Sequence, residues 1–254
     1  MNATHIASSL KTDGVTLVEN VLSDDQCGAL LEGIEWGFQS RQGPLPQHRQ
    51  RTYEWFREHP IFIELLEHPL VIEVAEVCLG AQYHLICAEI SRNEKENHYL
   101  AGVKNVHQDV CFFPKDPELL EDIRTRMYGF TAQWVAHDIP AEMGPTEFIV
   151  GSHQGKRSYT SDEAPSAISF IDHFPQGSLV FYDHRTWHRG TDNHIDRPRD
   201  LVQNSYALHA IDKVQITTPQ DDGSEVYIPC VDLIETGSDV IKKLLSPRCE
   251  TPAS

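Results

Sequence analysis

The sequence predicts a mainly-β fold, an antiparallel jelly roll that carries an N-terminal layer of helices. Up to Gly80 most apolar residues recur at helical spacing. After Gly80 come short segments rich in Val, Ile, Phe, Tyr and Thr, separated by turn residues. Helices followed by many short strands, rather than alternating with them, favour this architecture over a parallel α/β sheet.

The N-terminal part contains one predicted strand and two helical stretches. Residues 13–22, "DGVTLVENVL", alternate apolar and polar, which predicts a strand. Ser23 stands three residues before Gln26, the spacing of a capping box, so a helix should begin there. Its apolar side chains recur at helical spacing: Leu30, Leu31, Ile34 and Phe38. A second helical stretch should be interrupted at Pro69 and end at Gly80.

The rest of the chain predicts the strands of the jelly roll. Candidate strands are "AQYHLICAEISRNE", "YGFTAQWVAHDIP", "TEFIVGSH", "GSLVFYDHRTWH" and "DLVQNSYALHAI". Residues 114–127 predict a polar loop with a short helix. A chain of 254 residues suits one domain. We therefore expect a single domain over 1–254, with a helical part at about 1–80, a jelly-roll core at about 81–212 and a C-terminal extension at 213–254.

Composition narrows the classes of partner and compartment. A net charge of −17 disfavours nucleic acids, whose phosphates would be repelled. The sequence contains no run of 18 apolar residues, so no membrane-spanning helix is predicted. The first residues lack the pattern of a secretory signal. Six Cys without C-x-x-C spacing favour reduced thiols, hence the cytoplasm. The expected partner is a small-molecule substrate, with no nucleic acid and no membrane; whether the protein is a monomer or a homodimer is left open.

A candidate metal site begins in the stretch "NVHQDVCFF". His107 and Asp109 are two residues apart, so on an extended backbone both side chains point to one face. With 14 His and 38 acidic residues, about two such His-x-acid pairs are expected by chance, and two occur. The second pair, His194 and Asp196, is expected in a solvated hairpin loop. For His107 and Asp109, the alternative is a pair of surface residues that binds no metal.

His188 is the best candidate for a third ligand. It ends an apolar strand and precedes a Gly-Thr-Asp-Asn turn. His184, four residues earlier, has the same parity, so periodicity does not separate the two; the "WHRG" context favours His188. Two His and one carboxylate form the facial triad of non-haem Fe(II) oxygenases, which leaves positions open for co-substrates and dioxygen.

The co-substrate hypothesis rests on Arg199. An oxygenase of this kind needs an electron donor, and 2-oxoglutarate chelates iron through its keto-acid end while its far carboxylate needs a cation. Arg199 lies 11 residues after His188, and the loop between them can return the chain as a neighbouring strand. Its guanidinium matches a carboxylate. Arg197 is the rival, although it precedes Pro198 and is expected in the loop.

These motifs in this order resemble the phytanoyl-CoA dioxygenase family of Fe(II)/2-oxoglutarate oxygenases. The resemblance covers roughly residues 10–210. It rests on the opening "DGVTLVENVLSDDQ", then "HQD", "QWVAHDIPAEMGPTEFIVGSH", "GSLVFYDHRTWHRGTDN" and "RPR". It implies a double-stranded β-helix, cupin-like fold and a requirement for Fe(II), 2-oxoglutarate and dioxygen.

The resemblance also implies a role for single residues. His107, Asp109 and His188 match the metal ligands and catalytic centre, and Arg199 matches the Arg that binds the co-substrate. Trp134 matches a Trp that lines the co-substrate pocket, although an aromatic in a strand is also ordinary core. Gly190 stands where the family often has Ser.

The resemblance further implies a substrate lid and an oxidative reaction. The stretch 111–127 is longer than usual, as a substrate lid would be. Hydroxylation, or a related desaturation, cyclisation or epoxidation, of a small molecule in specialised metabolism is the expected reaction.

Several alternatives stay open at this point. Four aromatics line a substrate cavity or pack in the core: Phe112, Phe113, Tyr128 and Trp187. His153 is expected to shape a turn rather than to bind metal. The rival functions are a cupin-like metalloenzyme that does not use 2-oxoglutarate, and an inactive binding protein on the same barrel.

Overall fold

The computed structural model of the protein describes residues 1–39, 49–52, 59–95, 106–109, 127–155, 159, 172–211, 218–219, 225–226 and 231–246. The described helices are α1 (Ala3–Thr12), α2 (Asp24–Gln39), α3 (Pro60–Leu66), α4 (Pro69–Leu79), α5 (Val231–Thr236) and α6 (Asp239–Leu245). The described strands are β1 (Val15–Val18), β2 (Arg49–Thr52), β3 (Tyr83–Asn93), β4 (Gly129–Trp134), β5 (Glu147–Phe148), β6 (Leu179–Asp183), β7 (His188–Arg189), β8 (Arg199–Leu208), β9 (Thr218–Pro219) and β10 (Glu225–Val226).

Most of the described strands belong to one antiparallel sheet. Within the described ranges its order is β1-β6-β4-β8-β3-β2. A second, small sheet pairs β5 with β7, and a bridge from His107 to His188 extends it. The predicted mainly-β fold class with an N-terminal helical layer is confirmed.

Strand side chains alternate between the two faces of the main sheet, and the helices cover one of these faces. On β4, Phe130, Ala132 and Trp134 join the large core that also contains the apolar sides of α1 to α4 and α6. Thr131 and Gln133 therefore point to the other face. The sheet thus separates an apolar, helix-covered side from an inner side that carries polar residues.

The predicted helix starts and stops agree with the structure. The Ser23 amide donates to Gln26 Oε1 at 3.1 Å, and the Gln26 amide donates to Ser23 Oγ at 3.3 Å, which forms the predicted capping box. The second helical stretch is divided before Pro69 into α3 and α4, and Gly80 ends it with φ +75°. Positive φ favours glycine at this position.

Some elements were not predicted. Helix α1 was not predicted because its buried face has only three residues, which are Ala3, Ile6 and Leu10. Strand β2 and the C-terminal helices were not predicted either. Strands β1 and β2, both N-terminal, form the two edges of the main sheet, so the helical part also completes the sheet. The predicted loop and short helix at 114–127 lie outside the described residues, apart from Met127.

None of the described helices is both long enough and apolar enough to span a membrane.

Candidate metal centre

A tight turn between β6 and β7 places His188. Strand β6 ends at Asp183, whose carboxylate accepts hydrogen bonds from the Arg185 amide at 2.9 Å and from the Arg185 guanidinium at 2.6 Å. Thr186 Oγ1 donates to the Gly14 carbonyl at 2.8 Å. These contacts fix the turn, so the chain reaches β7 with His188 paired to Phe148 of β5.

Residues 106–109 run alongside this turn. The His107 amide donates to the His188 carbonyl and the His188 amide donates to the His107 carbonyl, both at 2.9 Å. The Asp109 amide donates to the His184 carbonyl at 3.1 Å, and Gln108 Nε2 donates to the Arg185 carbonyl. The backbone therefore brings together ligand residues that lie far apart in the sequence.

His107, Asp109 and His188 form one cluster of potential ligands. Each residue offers one ligand atom, and the three atoms lie within 4.8 Å of one another. His188 Nε2 is 3.6 Å from Asp109 Oδ1, and the two imidazole centroids are 4.5 Å apart. Ligand atoms at about 2.1 Å from one ion stand roughly 3–4 Å apart, so this spacing fits a single metal ion.

The imidazole of His188 is held in the orientation that metal binding needs. Its Nδ1 donates to the Thr186 carbonyl at 2.9 Å, which leaves Nε2 turned to Asp109. Burial lowers the pKa of His188 to about 4, although the hydrogen bond to Thr186 opposes this shift. The imidazole is therefore neutral at pH 7, as a metal ligand must be.

The competing histidines lie elsewhere. Among the described residues the metal-site geometry is met by one group of three, which contains neither His184, His194 nor His153. His184 lies in the turn after β6, with its ring 5.7 Å from that of Tyr128; burial, then His188, lowers its pKa to about 3. His153 Nε2 is 3.1 Å from the Lys11 carbonyl, a contact that joins a short 3₁₀ helix (Ser152–Gln154) to the last turn of α1.

The second His-x-acid pair has the predicted place. His194 and Asp196 are exposed in the loop between β7 and β8, and Asp196 pairs with Lys95 at 2.9 Å. The expectation of a solvated loop is confirmed, but the loop is not a hairpin because β7 and β8 belong to different sheets.

Arg199 and Arg197 have different environments. Arg199, the first residue of β8, is buried and donates from its NH1 group to the Gly144 carbonyl. It has the same parity as Leu201, which packs in the core of the inner side. Arg197 is exposed in the preceding loop, as predicted. One expectation needs correction: β8 does not pair with β7 but lies in the main sheet between β4 and β3, so the loop crosses between the sheets.

The structure does not bring Trp134 to the cluster. Trp134 is fully buried among the helices, with its ring 5.2 Å from His68, on the face of β4 opposite the inner side. Its neighbour Gln133 faces the inner side instead. This placement corrects the sequence-based assignment of Trp134, and the physical reason is the two-residue period of a strand.

Sequence reasoning missed the residues that surround the cluster on the inner side. The ring of Tyr182 lies 4.9 Å from that of His188, and the ring of Phe148 lies 5.9 Å from it. Burial, and then the charge of Asp109, raise the pKa of Tyr182 well above its ordinary value, so its hydroxyl stays protonated. Polar residues within apolar strands, such as Gln133 in "FTAQW", are the signal that marks this inner face.

The four aromatic residues expected either to line a substrate cavity or to pack in the core have different positions. Tyr128 is buried beside His184, and Trp187 contacts Tyr159 with ring centroids 5.7 Å apart. Phe112 and Phe113 lie outside the described residues, as does the predicted lid at 111–127 except for Met127.

The fold and the cluster together define a class of protein. A mainly antiparallel fold that holds two His and one carboxylate at a single ion position is the arrangement of the non-haem metal oxygenases. The model of the phytanoyl-CoA dioxygenase (PhyH) family matches residues 10–201. The chain belongs to this family.

Three solved structures illustrate the similarity of this fold to known proteins. The α-ketoglutarate-dependent epimerase SnoN, in complex with Fe³⁺, α-ketoglutarate and nogalamycin RO, is 20% identical with a TM-score of 0.64, over 82% of this chain and 84% of SnoN. The carbocyclase SnoK from nogalamycin biosynthesis is 18% identical with a TM-score of 0.64, over 84% and 86%. HygX from Streptomyces hygroscopicus, with nickel, 2-oxoglutarate and hygromycin B bound, is 11% identical with a TM-score of 0.64, over 87% and 94%. No curated protein sequence matches the chain.

Proposed function

We propose that this protein is a non-haem Fe(II)/2-oxoglutarate-dependent dioxygenase that oxidises a small molecule in specialised metabolism. The observation that carries the proposal is the cluster of His107, Asp109 and His188, with ligand atoms within 4.8 Å of one another in a chain of this family. Two neutral nitrogen donors and one carboxylate suit Fe(II) and leave half of an octahedral sphere for other ligands.

The residues present fit the metal and the co-substrate. The donor set comprises His107, Asp109 and His188, and the hydrogen bond to Thr186 orients the last of these. Arg199 is buried on the inner side and carries the positive charge that the distal carboxylate of 2-oxoglutarate requires. Iron, 2-oxoglutarate and dioxygen together supply the oxidising equivalent, with release of succinate and carbon dioxide.

The protein's own groups would bind and orient the reactants. Tyr182 and Phe148 pack against His188 and shield that side of the centre from water. The carboxylate of Asp109 occupies the position that a halide needs in related halogenases, so hydroxylation rather than halogenation is the default outcome. Desaturation, cyclisation and epoxidation use the same centre.

The substrate is a small molecule rather than a CoA thioester, because the net charge of −17 offers no evident cradle for phosphates. The nogalamycin and hygromycin B proteins of the same fold support a place in specialised metabolite biosynthesis. We also propose the cytoplasm as its compartment.

An anaerobic titration with Fe(II) and then 2-oxoglutarate tests the proposal. A weak visible charge-transfer band should appear only when both are present, and admission of air with a metabolite library should then release succinate. A protein that binds zinc and forms no succinate would favour the cupin-like metalloenzyme. Binding of both ligands without turnover for any substrate would favour the inactive binding protein.

A further inference from the structure

The amide of Gln133 is a buried polar group on the inner side of the main sheet. Gln133 has no solvent exposure, and it is the last but one residue of β4, between Ala132 and Trp134, both of which face the helices. A polar side chain in such a position is tolerated when its hydrogen-bonding groups have partners.

The oxygen of this amide has two partners. Gln203 Nε2 donates to Gln133 Oε1 at 3.1 Å, and Thr146 Oγ1 donates to the same oxygen at 3.3 Å. Gln203 Nε2 also donates to the Tyr182 hydroxyl at 3.2 Å. In this arrangement the oxygen of the Gln133 amide faces both donors, and Nε2 is turned away from them.

The nitrogen of the amide has no hydrogen-bond partner in the part of the chain that the structure describes. Gln133 Nε2 is buried and makes no hydrogen bond with the described residues. A buried N–H group without an acceptor destabilises the folded state, so the fold keeps this donor at a loss in stability unless a ligand accepts from it. Gln203 hydrogen-bonds to both this amide and the Tyr182 hydroxyl, and the Tyr182 ring lies 4.9 Å from that of His188, so a continuous series of contacts joins Gln133 to the surroundings of the metal centre.

The surroundings indicate which ligand atom would accept. Glu147 pairs with Arg189, and continuing this antiparallel register by one residue sets Thr146 opposite Gly190, which has no side chain to donate a hydrogen bond. Two residues before Thr146, the Gly144 carbonyl accepts from Arg199. The Gln133 amide and the Arg199 guanidinium are therefore attached to the same short segment, 144–146, and both lie on the inner side.

We propose that Gln133 Nε2 donates a hydrogen bond to the distal carboxylate of 2-oxoglutarate, beside the charge of Arg199. This inference rests on the proposed function. It assigns to Gln133 a co-substrate-binding role that neither Gly190 nor Trp134 can fill. Arg199 supplies the charge, and Gln133 supplies a donor whose direction is set before the ligand arrives, which favours one length of keto acid over others.

Gln133→Glu is the sharpest test because it retains an oxygen for Thr146 and Gln203 and replaces only the donor with a negatively charged oxygen. The dissociation constant of 2-oxoglutarate is measured by anaerobic titration of the Fe(II)-loaded protein. We expect it to rise by at least tenfold, whereas that of 2-oxopentanoate, which lacks the distal carboxylate, changes by less than threefold. Equal weakening of both keto acids, or an unchanged affinity for 2-oxoglutarate, would overturn the inference.

A second pair of variants addresses folding. Gln133→Leu should weaken 2-oxoglutarate, and Gly190→Ser in that background should recover part of the affinity, because a hydroxyl would then lie opposite Thr146. The double variant should have the same melting temperature as Gln133→Leu. If it does and the affinity for 2-oxoglutarate does not recover, the result would count against a hydrogen-bond donor to the distal carboxylate on this side of the site. If the unmodified protein binds no 2-oxoglutarate, the proposed function fails as well; if it binds and the variants bind equally, this inference alone fails.

Discussion

A single backbone carbonyl decides how His188 is presented. Because Nδ1 donates to the Thr186 carbonyl at 2.9 Å, Nε2 is the nitrogen that faces Asp109. His184 is equally buried and only four residues away, yet it lies in the turn and outside the cluster. At the residue scale, therefore, local hydrogen bonding rather than residue type distinguishes a candidate ligand from a core histidine.

The three candidate ligands should be individually indispensable. Replacement of His107, Asp109 or His188 with Ala should lower iron affinity by more than about 100-fold, since loss of partners outside the ligand set alone costs about 10–100-fold. His184→Ala and His194→Ala should retain bound iron. Iron content after dialysis and succinate release are the measurements. Full iron content in His188→Ala would show that a different residue completes the site.

Arg199 should control the affinity for 2-oxoglutarate and not that for iron. A charged hydrogen bond contributes roughly 1.5–3 kcal/mol, and an unpaired buried charge costs about 3–5 kcal/mol. At about 1.4 kcal/mol per tenfold, Arg199→Ala should weaken 2-oxoglutarate by about 10-fold to 1000-fold. Arg199→Lys should recover only part, because an ammonium lacks the planar fork.

The matched control for this prediction is Arg197→Ala, an exposed position two residues earlier. Its apparent Michaelis constant for 2-oxoglutarate should stay close to that of the unmodified protein. An unchanged constant in Arg199→Ala would mean that another cation holds the co-substrate.

Predictability from sequence differs between these residues for a physical reason. The positions of His107, Asp109 and His188 followed from ordered motifs, and the structure brings them together. The parity of β4 was not used, so Trp134 was assigned to the pocket whereas its neighbour Gln133 faces the inner side. A shift of one residue in a strand reverses the face, and an aromatic residue gives no sign of which face it occupies.

At the scale of elements, the turn between β6 and β7 depends on a buried ion pair. Asp183 and Arg185 are 2.6 Å apart, and the Asp183 side chain has no solvent exposure. Removal of one partner of a buried pair costs about 3–5 kcal/mol. Asp183→Ala should therefore lower the free energy of unfolding by roughly this amount and weaken metal binding, because the turn positions His188.

The matched control is Asp196→Ala. This variant removes the ion pair between Asp196 and Lys95, in which the Asp196 side chain is 88% exposed. Exposed pairs contribute about 0–1 kcal/mol, so this variant should unfold almost like the unmodified protein. Urea unfolding of the two variants measures the difference. Similar losses in both would mean that the buried pair does not support the turn.

The segment after β4 should make stability depend on pH. His137 Nε2 accepts a hydrogen bond from the Asp200 amide at 3.2 Å, and burial lowers the pKa of His137 below its ordinary value. Between that lowered pKa and about 6.5, the unfolded chain binds a proton that the folded chain does not. The free energy of unfolding should therefore fall as the pH decreases below about 6.5, by at most about 1.4 kcal/mol per pH unit from this residue.

His137→Gln offers an acceptor without a titrating group. Its free energy of unfolding should decline less between pH 7 and pH 5 than that of the unmodified protein, as measured by urea unfolding at each pH. Parallel pH profiles would show that His137 is not responsible.

The elements themselves were predictable to different degrees. Ser23, Pro69 and Gly80 mark helix ends through local chemistry, and the structure has helix boundaries at all three. Strand β2 has the sequence "RQRT", in which apolar and polar residues do not alternate. Its pairing with β3 is a long-range property that no local pattern indicates.

At the scale of the whole molecule, the main sheet separates two environments. Helices cover its apolar face, while the inner face carries Thr131, Gln133 and Tyr182 near the cluster. The candidate ligands His107, Asp109 and His188 lie outside the main core. The sequence indicated this general layout because helical and strand periodicities occupy different parts of the chain.

Metal and co-substrate should stabilise the folded protein by linkage. A ligand that binds only the folded state adds about 2.7 kcal/mol at 100 times its dissociation constant. Fe(II) with 2-oxoglutarate, added under anaerobic conditions, should thus raise the melting temperature of the unmodified protein. His188→Ala is the control, and an equal rise in that variant would place the binding elsewhere.

The pairing of β1 with β6 has a consequence for how the protein is made. Val15 pairs with Tyr182, so an early strand must wait for its partner during synthesis. At about 5–20 residues per second, the ribosome needs roughly 10–30 s to make the intervening chain. The reciprocal hydrogen bonds between His107 and His188 require nearly the same length of nascent chain. The complete set of three candidate ligands can therefore assemble only late in translation or after it.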